Sequence, residues 1–158
     1  MPVPFIKGLV LSFVIVGLDQ LSKWWIVEYV MNPPQRIEVT SFFNLVLAHN
    51  RGVSFGMFAT GSETGKWILV AVATVISLFL VRWLWQARQP LSIIALGLII
   101  GGAVGNIIDR VLIGAVVDFL DFHVAGWHWP AFNVADTAIC IGAAGLIFDS
   151  IFSKEEAV

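Results

Sequence analysis

Charge is what this sequence has least of. Lys and Arg number 9 and Asp and Glu 11 in 158 residues, or 13%, where a soluble domain carries about 25%. The net charge of −2 leaves no basic surface for nucleic acid. There is one cysteine, Cys140, which excludes an intramolecular disulfide and any cysteine-based metal cluster. Lying in an apolar run, it reads as a small buried hydrophobe. The histidines number three, His49, His123 and His128. All are expected in loops, with no HExxH pair to hold a metal, and interfacial filler is their expected role. No GxSxG elbow is present, so Ser-His-Asp chemistry has no visible nucleophile. Neither a metal nor a cofactor is expected.

Apolar sequence fills the space. Hydrophobic residues make up 58% and the mean hydropathy is +0.88. Uncovered in water, that surface would aggregate, so the fold class expected is an all-α membrane protein. It has four transmembrane helices and a small extramembrane β-element after the first. The spans fall at about 4–30, 67–85, 91–108 and 131–148. The N-terminal run shows no small-x-small cleavage site; Asp19, Gln20 and Lys23 follow it, which reads as an uncleaved first helix. Asn32-Pro33-Pro34 stops that helix. The segment 32–62 is the β-element: Arg36 to Ala48 is β-branched and aromatic, Asn50-Arg51-Gly52 reads as a turn, and Val53 to Phe58 as a further short strand. Gly97, Gly101 and Gly105 form a GxxxGxxxG face for close helix packing, and Gly105 also offers a close approach for substrate. A connection at 111–130 joins the last two spans. Four spans put both termini on one side, and Lys and Arg divide four against five between the two sides, so charge alone sets no orientation.

Against this background the polar residues converge on one membrane face. Asp19, Asn50, Arg51, Asn106, Asp109, Arg110, Asp118, Asp121, Asn133 and Asp136 all belong there. Asp19 and Lys23 share a helical face, either as an interfacial ion pair or as the wall of a polar pocket. A buried acid costs about 2.5–3.5 kcal/mol at the bilayer centre, so such a cluster needs partners or a wet cavity. Two carboxylates held about 4 Å apart repel by about 4 kcal/mol at an effective dielectric near 20. They therefore share a proton near neutral pH, which suits aspartic-protease chemistry. Spacing leaves Asp109, Asp118, Asp121 and Asp136 as candidates. Asp136, at the start of a helix, is foremost, and spacing does not choose between Asp118 and Asp121. A proton-coupled carrier also uses intramembrane acids, but no polar path crosses to the other face. A non-enzymatic assembly factor would leave the polar cluster without a purpose.

The blocks GNIIDR, GAVVDFLDF and FNVADT, with LDQLSK and HNRGVSFGM upstream, resemble bacterial lipoprotein signal peptidase (signal peptidase II) over nearly the whole chain. The resemblance implies a membrane aspartyl endopeptidase with Asp118 and Asp136 as its catalytic dyad. Asp19, Lys23, Asn50, Asn106, Arg110 and Asn133 would hold the dyad or the substrate, while Asp109 and Asp121 would be supporting or interfacial. It also implies a diacylglyceryl-modified prolipoprotein as substrate, cut immediately before the lipidated cysteine. The enzyme would sit in the bacterial cytoplasmic membrane, with both termini cytoplasmic and the site near the outer face. Membrane lipids are its expected partners, nucleic acid is not, and a monomer is expected.

Overall fold

A computed structural model describes residues 1–52 and 63–152 of the chain. The expected strand at Val53 to Phe58, and the rest of the β-element to residue 62, lie outside the described residues. Four helices are long and apolar enough to cross a membrane: α1 (Val3–Trp25), α2 (Glu63–Gln86), α3 (Pro90–Ile113) and α4 (Val134–Phe152). The end of α1 widens into a π-helical turn at Ile26–Val30. At 1.5 Å per residue, the 24 residues of α3 reach about 36 Å, enough for a hydrocarbon layer of about 30 Å.

The core sits around α3. Half of its apolar window is buried, against 17–22% for the other three helices, and α1, α2 and α4 all pack on it. The outer faces keep large apolar side chains such as Phe13, Val75, Leu78 and Ile147 exposed, as lipid-facing surfaces must. The glycine face has the close-packing role read from its spacing. A methyl group on Gly97 would lie 2.8 Å from Gly8 O of α1, and one on Gly101 2.8 Å from Ser12 O. Gly102 faces α4, where the carbonyl of Ala135 occupies the space a side chain would need. Gly105 admits no substrate: the Asp19 carboxylate fills its place, 2.6 Å from where a methyl would stand. Gly102→Ala is expected to destabilise the protein by about 1–3 kcal/mol through overpacking. Gly17→Ala, with nothing within 4 Å, is expected to be neutral or stabilising by up to about 1 kcal/mol. Thermal melting of the two variants in detergent checks the contrast.

Among the described residues, a four-stranded antiparallel sheet in the order β1-β2-β3-β4 caps one end of the bundle. β1 (Ile37–Thr40) and β2 (Phe43–Asn50) form a hairpin, so the strand-like run from Arg36 is divided at Ser41-Phe42. The connection at 111–130 proves to be sheet as well. Gly114, at φ 80°, ends α3 by donating to Arg110 O, and β3 (Val116–Val124) then pairs with β2 along its length. Ala125 and Gly126, both with positive φ, make the tight turn into β4 (Trp127–His128), the backbone that two-residue hairpins favour. The three histidines therefore stand on strands, not in loops. Ile26, Met31 and Phe119 form a small apolar core with Ile37, Leu45 and Val134 packed on it.

Candidate active site

The site grows from the joint between β3 and α4. Phe132 N donates to Leu120 O, and Phe132 O accepts from Phe119 and Leu120, so the chain entering α4 is sewn to β3. That places Asn133 at the cap of α4. Its Oδ1 accepts Asp136 N at 2.9 Å, while its Nδ2 donates to Asp118 Oδ1 at 2.7 Å and Val117 O at 3.1 Å. A short polar side chain at this position satisfies a helix N–H that would otherwise lack a partner. Here the same amide also grips a carboxylate on the neighbouring strand.

Asp118 is buried, pairs across the sheet with Ala48 and lies beside an irregularity in β2 between Leu45 and Ala48. Bulges of this kind re-aim side chains near functional sites. Burial pushes the Asp118 carboxyl up to about 7. The negative charge of Asp136 pushes it the same way, against hydrogen bonds from Asn50 and Asn133 and the field of Lys23. Asp136 is half-buried in the first turn of α4, where aligned N–H groups favour negative charge. Its Oδ1 accepts Asn106 Nδ2 at 2.8 Å. Asn106 Oδ1 in turn accepts Lys23 Nζ at 3.2 Å and Asn133 Nδ2 at 3.4 Å. Two amides thus link the two aspartates to each other and to Lys23.

Beneath them lies a charged knot. Lys23 and Asp19 are only 4% and 0% exposed, so the pair is enclosed by the protein and walls a polar interior. Lys23 Nζ meets Asp19 Oδ2 at 2.7 Å, Asp109 Oδ2 at 2.8 Å and Asn106 Oδ1, three acceptors for its three hydrogens. Asp19 Oδ1 accepts Ala135 N at 2.9 Å, so a carboxylate from α1 caps α4 from outside. Asp109 accepts Val117 N at 3.0 Å and so fixes the start of β3. Gln20, which the sequence reading left without a role, joins these acids by donating to Asp109 Oδ1 at 2.8 Å and Asp19 Oδ2 at 3.2 Å. Its place beside Asp19 in the block LDQLSK is the signal the sequence offers. Arg110 donates to Gly52 O at 2.9 Å and to Asn106 O at 3.3 Å, tying α3 to the end of β2.

The expected residues divide accordingly. Asp19, Lys23, Asn50, Asn106, Arg110, Asp118, Asn133 and Asp136 come together, and Asp109 joins them through Lys23. Asp121 does not. It accepts Asn44 Nδ2 at 2.8 Å and lies 2.8 Å from His128 Nδ1. Burial raises its carboxyl, but the hydrogen bonds from Asn44 and His128 outweigh this and hold it below the usual range. Arg51 is exposed. Beside Asp136 opens a cavity of about 340 Å³, walled by Asn50, the 129–132 segment and Thr137, Cys140 and Ile141. Cys140 is exposed here, not buried as its apolar neighbours implied, because α4 packs on α3 through Ala135, Ala138 and Gly142 and turns this face outward. Chemically, the arrangement is two carboxyl groups, one of them pushed up by burial, at the edge of an apolar cleft.

Comparison with known proteins agrees with this architecture. The family model described as Signal peptidase (SPase) II matches residues 11–152. The lipoprotein signal peptidase of Burkholderia vietnamiensis (strain G4 / LMG 22486) is 47% identical over 144 residues, covering 89% of this chain and 85% of the relative. That of Methylobacterium sp. (strain 4-46) is 42% identical over 152 residues, covering 96% and 92%. A bacterial membrane enzyme solved by the in meso method at 2.3 Å resolution superposes with a TM-score of 0.84 at 28% identity, covering 96% of this chain and 92% of its own. With a single family model spanning both the helices and the sheet that carry this cluster, the chain belongs to the signal peptidase II family.

Proposed function

We propose that this peptidase removes the signal peptide of diacylglyceryl-modified prolipoproteins, cutting immediately before the lipidated cysteine, with Asp118 and Asp136 as an aspartic dyad. The observation that carries the reading is that the amides of Asn133 and Asn106 link Asp118 and Asp136 beside an apolar cavity, with the Asp118 carboxyl pushed up by burial and by the charge of Asp136. Asp136 takes a proton from water as the hydroxide adds to the scissile carbonyl carbon. Asp118 gives its proton to the carbonyl oxygen, producing a neutral tetrahedral diol. Asp136 then hands its proton to the leaving nitrogen while Asp118 recovers one from a diol hydroxyl, and the C–N bond breaks. Both groups return to their starting states, and no cofactor or metal enters the cycle.

The knot beneath supplies rigidity. Asn106 holds one oxygen of Asp136, Asn133 and Asn50 hold Asp118, and Lys23 tempers the accumulated negative charge. Asn50 and Arg110 hold the end of β2 against the dyad. The cavity beside Asp136 lies along the outer side of α4, so a lipid-anchored peptide reaches it sideways from the bilayer. In this reading the enzyme works as a monomer in the cytoplasmic membrane. Both termini are cytoplasmic and the sheet lies at the outer face.

The test is cleavage of a lipidated precursor peptide in detergent across pH. The pair works while it retains one proton. Because the Asp118 carboxyl is raised to about 7, that proton is held below about pH 7 and lost above it. The rate is therefore expected to fall about tenfold per unit on the alkaline side of about pH 7, as a single ionisation requires. An unlipidated peptide cleaved equally well would overturn the substrate assignment. A rate that keeps rising from pH 6 to 9 would overturn the proton-sharing pair.

A further inference from the structure

The opposite end of the bundle holds a second cavity, which the peptide chemistry leaves unused. α1 and α3 both begin there, and their first turns enclose a groove of about 340 Å³. Its walls are apolar, including Pro4 and Leu11 of α1 and Ile93 and Ile94 of α3, and it carries two cations, Lys7 and Arg88. Among the described residues no carboxylate lines it. Both side chains are exposed. The hydrogen bond of Arg88 is a long one, 3.4 Å, to Ala87 O, and among the described residues neither cation has an ion-pair partner. Both helices also start without a side-chain cap, so their N-terminal N–H groups add positive potential to the same spot.

We infer that this groove binds one anionic diacyl phospholipid, its phosphate between Lys7 and Arg88 and one acyl chain along the apolar wall. Charge and shape argue together. A neutral lipid brings no net negative charge to two cations that have no ion-pair partner among the described residues. A soluble phosphate leaves the apolar wall uncovered. Basic pockets between transmembrane helices bind acidic headgroups, and each cation near an acidic lipid surface strengthens binding about fivefold. The neighbouring groove of Phe5, Leu78, Val81, Arg82 and Trp85 carries one cation and serves as an internal control.

The experiment titrates the detergent-solubilised protein with dioleoyl phosphatidylglycerol and counts bound lipid by native mass spectrometry. One retained lipid is expected, with dioleoyl phosphatidylcholine at least tenfold weaker and glycerol 3-phosphate unable to compete. Lys7→Gln with Arg88→Gln is expected to weaken binding about twenty-five-fold, the product of two fivefold losses. Arg82→Gln is expected to change it less than twofold. Ile94→Trp, which fills the groove and keeps both charges, is expected to weaken it at least fivefold. Lys7, Arg88 and Ile94 are exposed, and unchanged melting confirms that the variants fold. Equal affinity for phosphatidylcholine, displacement by glycerol 3-phosphate, an Arg82→Gln effect as large as that of the double variant, or undiminished binding by the double variant or by Ile94→Trp would each overturn the site.

Discussion

Asp118→Asn and Asp136→Asn are each expected to lower turnover of a lipidated precursor by at least about 10³-fold, while the protein still inserts and melts normally. General acid–base groups contribute about 10²–10⁴-fold each. In the proposed cycle neither aspartate works alone, because one protonates the carbonyl oxygen while the other takes the proton of the attacking water. The double variant is therefore expected to be no worse than either single one, the mark of residues acting as a unit. Folding should survive because Asn keeps the shape of Asp and removes a like charge from a pair in which Asp136 already disfavours ionisation of Asp118. Asp121→Asn is the control. Its partners are Asn44 and His128 on the sheet, so turnover should stay within about tenfold of the parent, below the usual contribution of an acid–base group. A dyad variant that keeps a tenth of parental activity, or an Asp121 variant that loses as much as the other two, would defeat the assignment.

The second large effect concerns stability. Lys23 is the buried cation between Asp19 and Asp109, and its replacement by Met removes the counter-charge of both. Breaking a buried pair from one side costs about 3–5 kcal/mol, because the remaining charge has no solvent to turn to. Lys23→Met is expected to lose that much and to loosen β3, whose Val117 N–H rests on Asp109. Adding Asp19→Asn should recover part of the loss, since one stranded charge disappears while an amide oxygen remains to accept Ala135 N. Equilibrium unfolding of the single and double variants gives the coupling directly. A cost below 1 kcal/mol for Lys23→Met would mean that water reaches the knot, contrary to its burial.

Much of this molecule was legible before any coordinates. Hydropathy gave four spans, because a helix must present about 20 apolar residues to cross lipid, and that demand is written locally. The glycine series gave the tight contact of α3 with its neighbours for the same reason: a spacing of four fixes a face. The polar cluster was visible as the residues that lipid should have rejected. Of the ten residues that the resemblance named, Asp121 alone lies apart from the rest, with Asn44 and His128. What lay beyond reach depended on partners far along the chain. Gln20 has no pattern of its own and acquires a role only where Asp109, 89 residues later, stands beside it. Cys140 reads as buried until the packing of α4 decides which face turns outward. The run from Arg36 to Ala48 reads as strands, but where it turns, at Ser41-Phe42, is seen only in the hairpin.

The sequence by itself determined the class of the protein, the number of its crossings and the face at which its charged residues gather, since each follows from the cost of placing a residue type in hydrocarbon. Tertiary structure alone decided how Asp118 and Asp121 differ. Three residues apart in a loop, they are equivalent. Once β3 pairs with β2, the two-residue period of a strand sends them to opposite faces. Asp118 then meets the start of α4, and Asp121 meets Asn44 and His128. Sheet pairing is a contact between distant segments, so no local reading of the chain contains it.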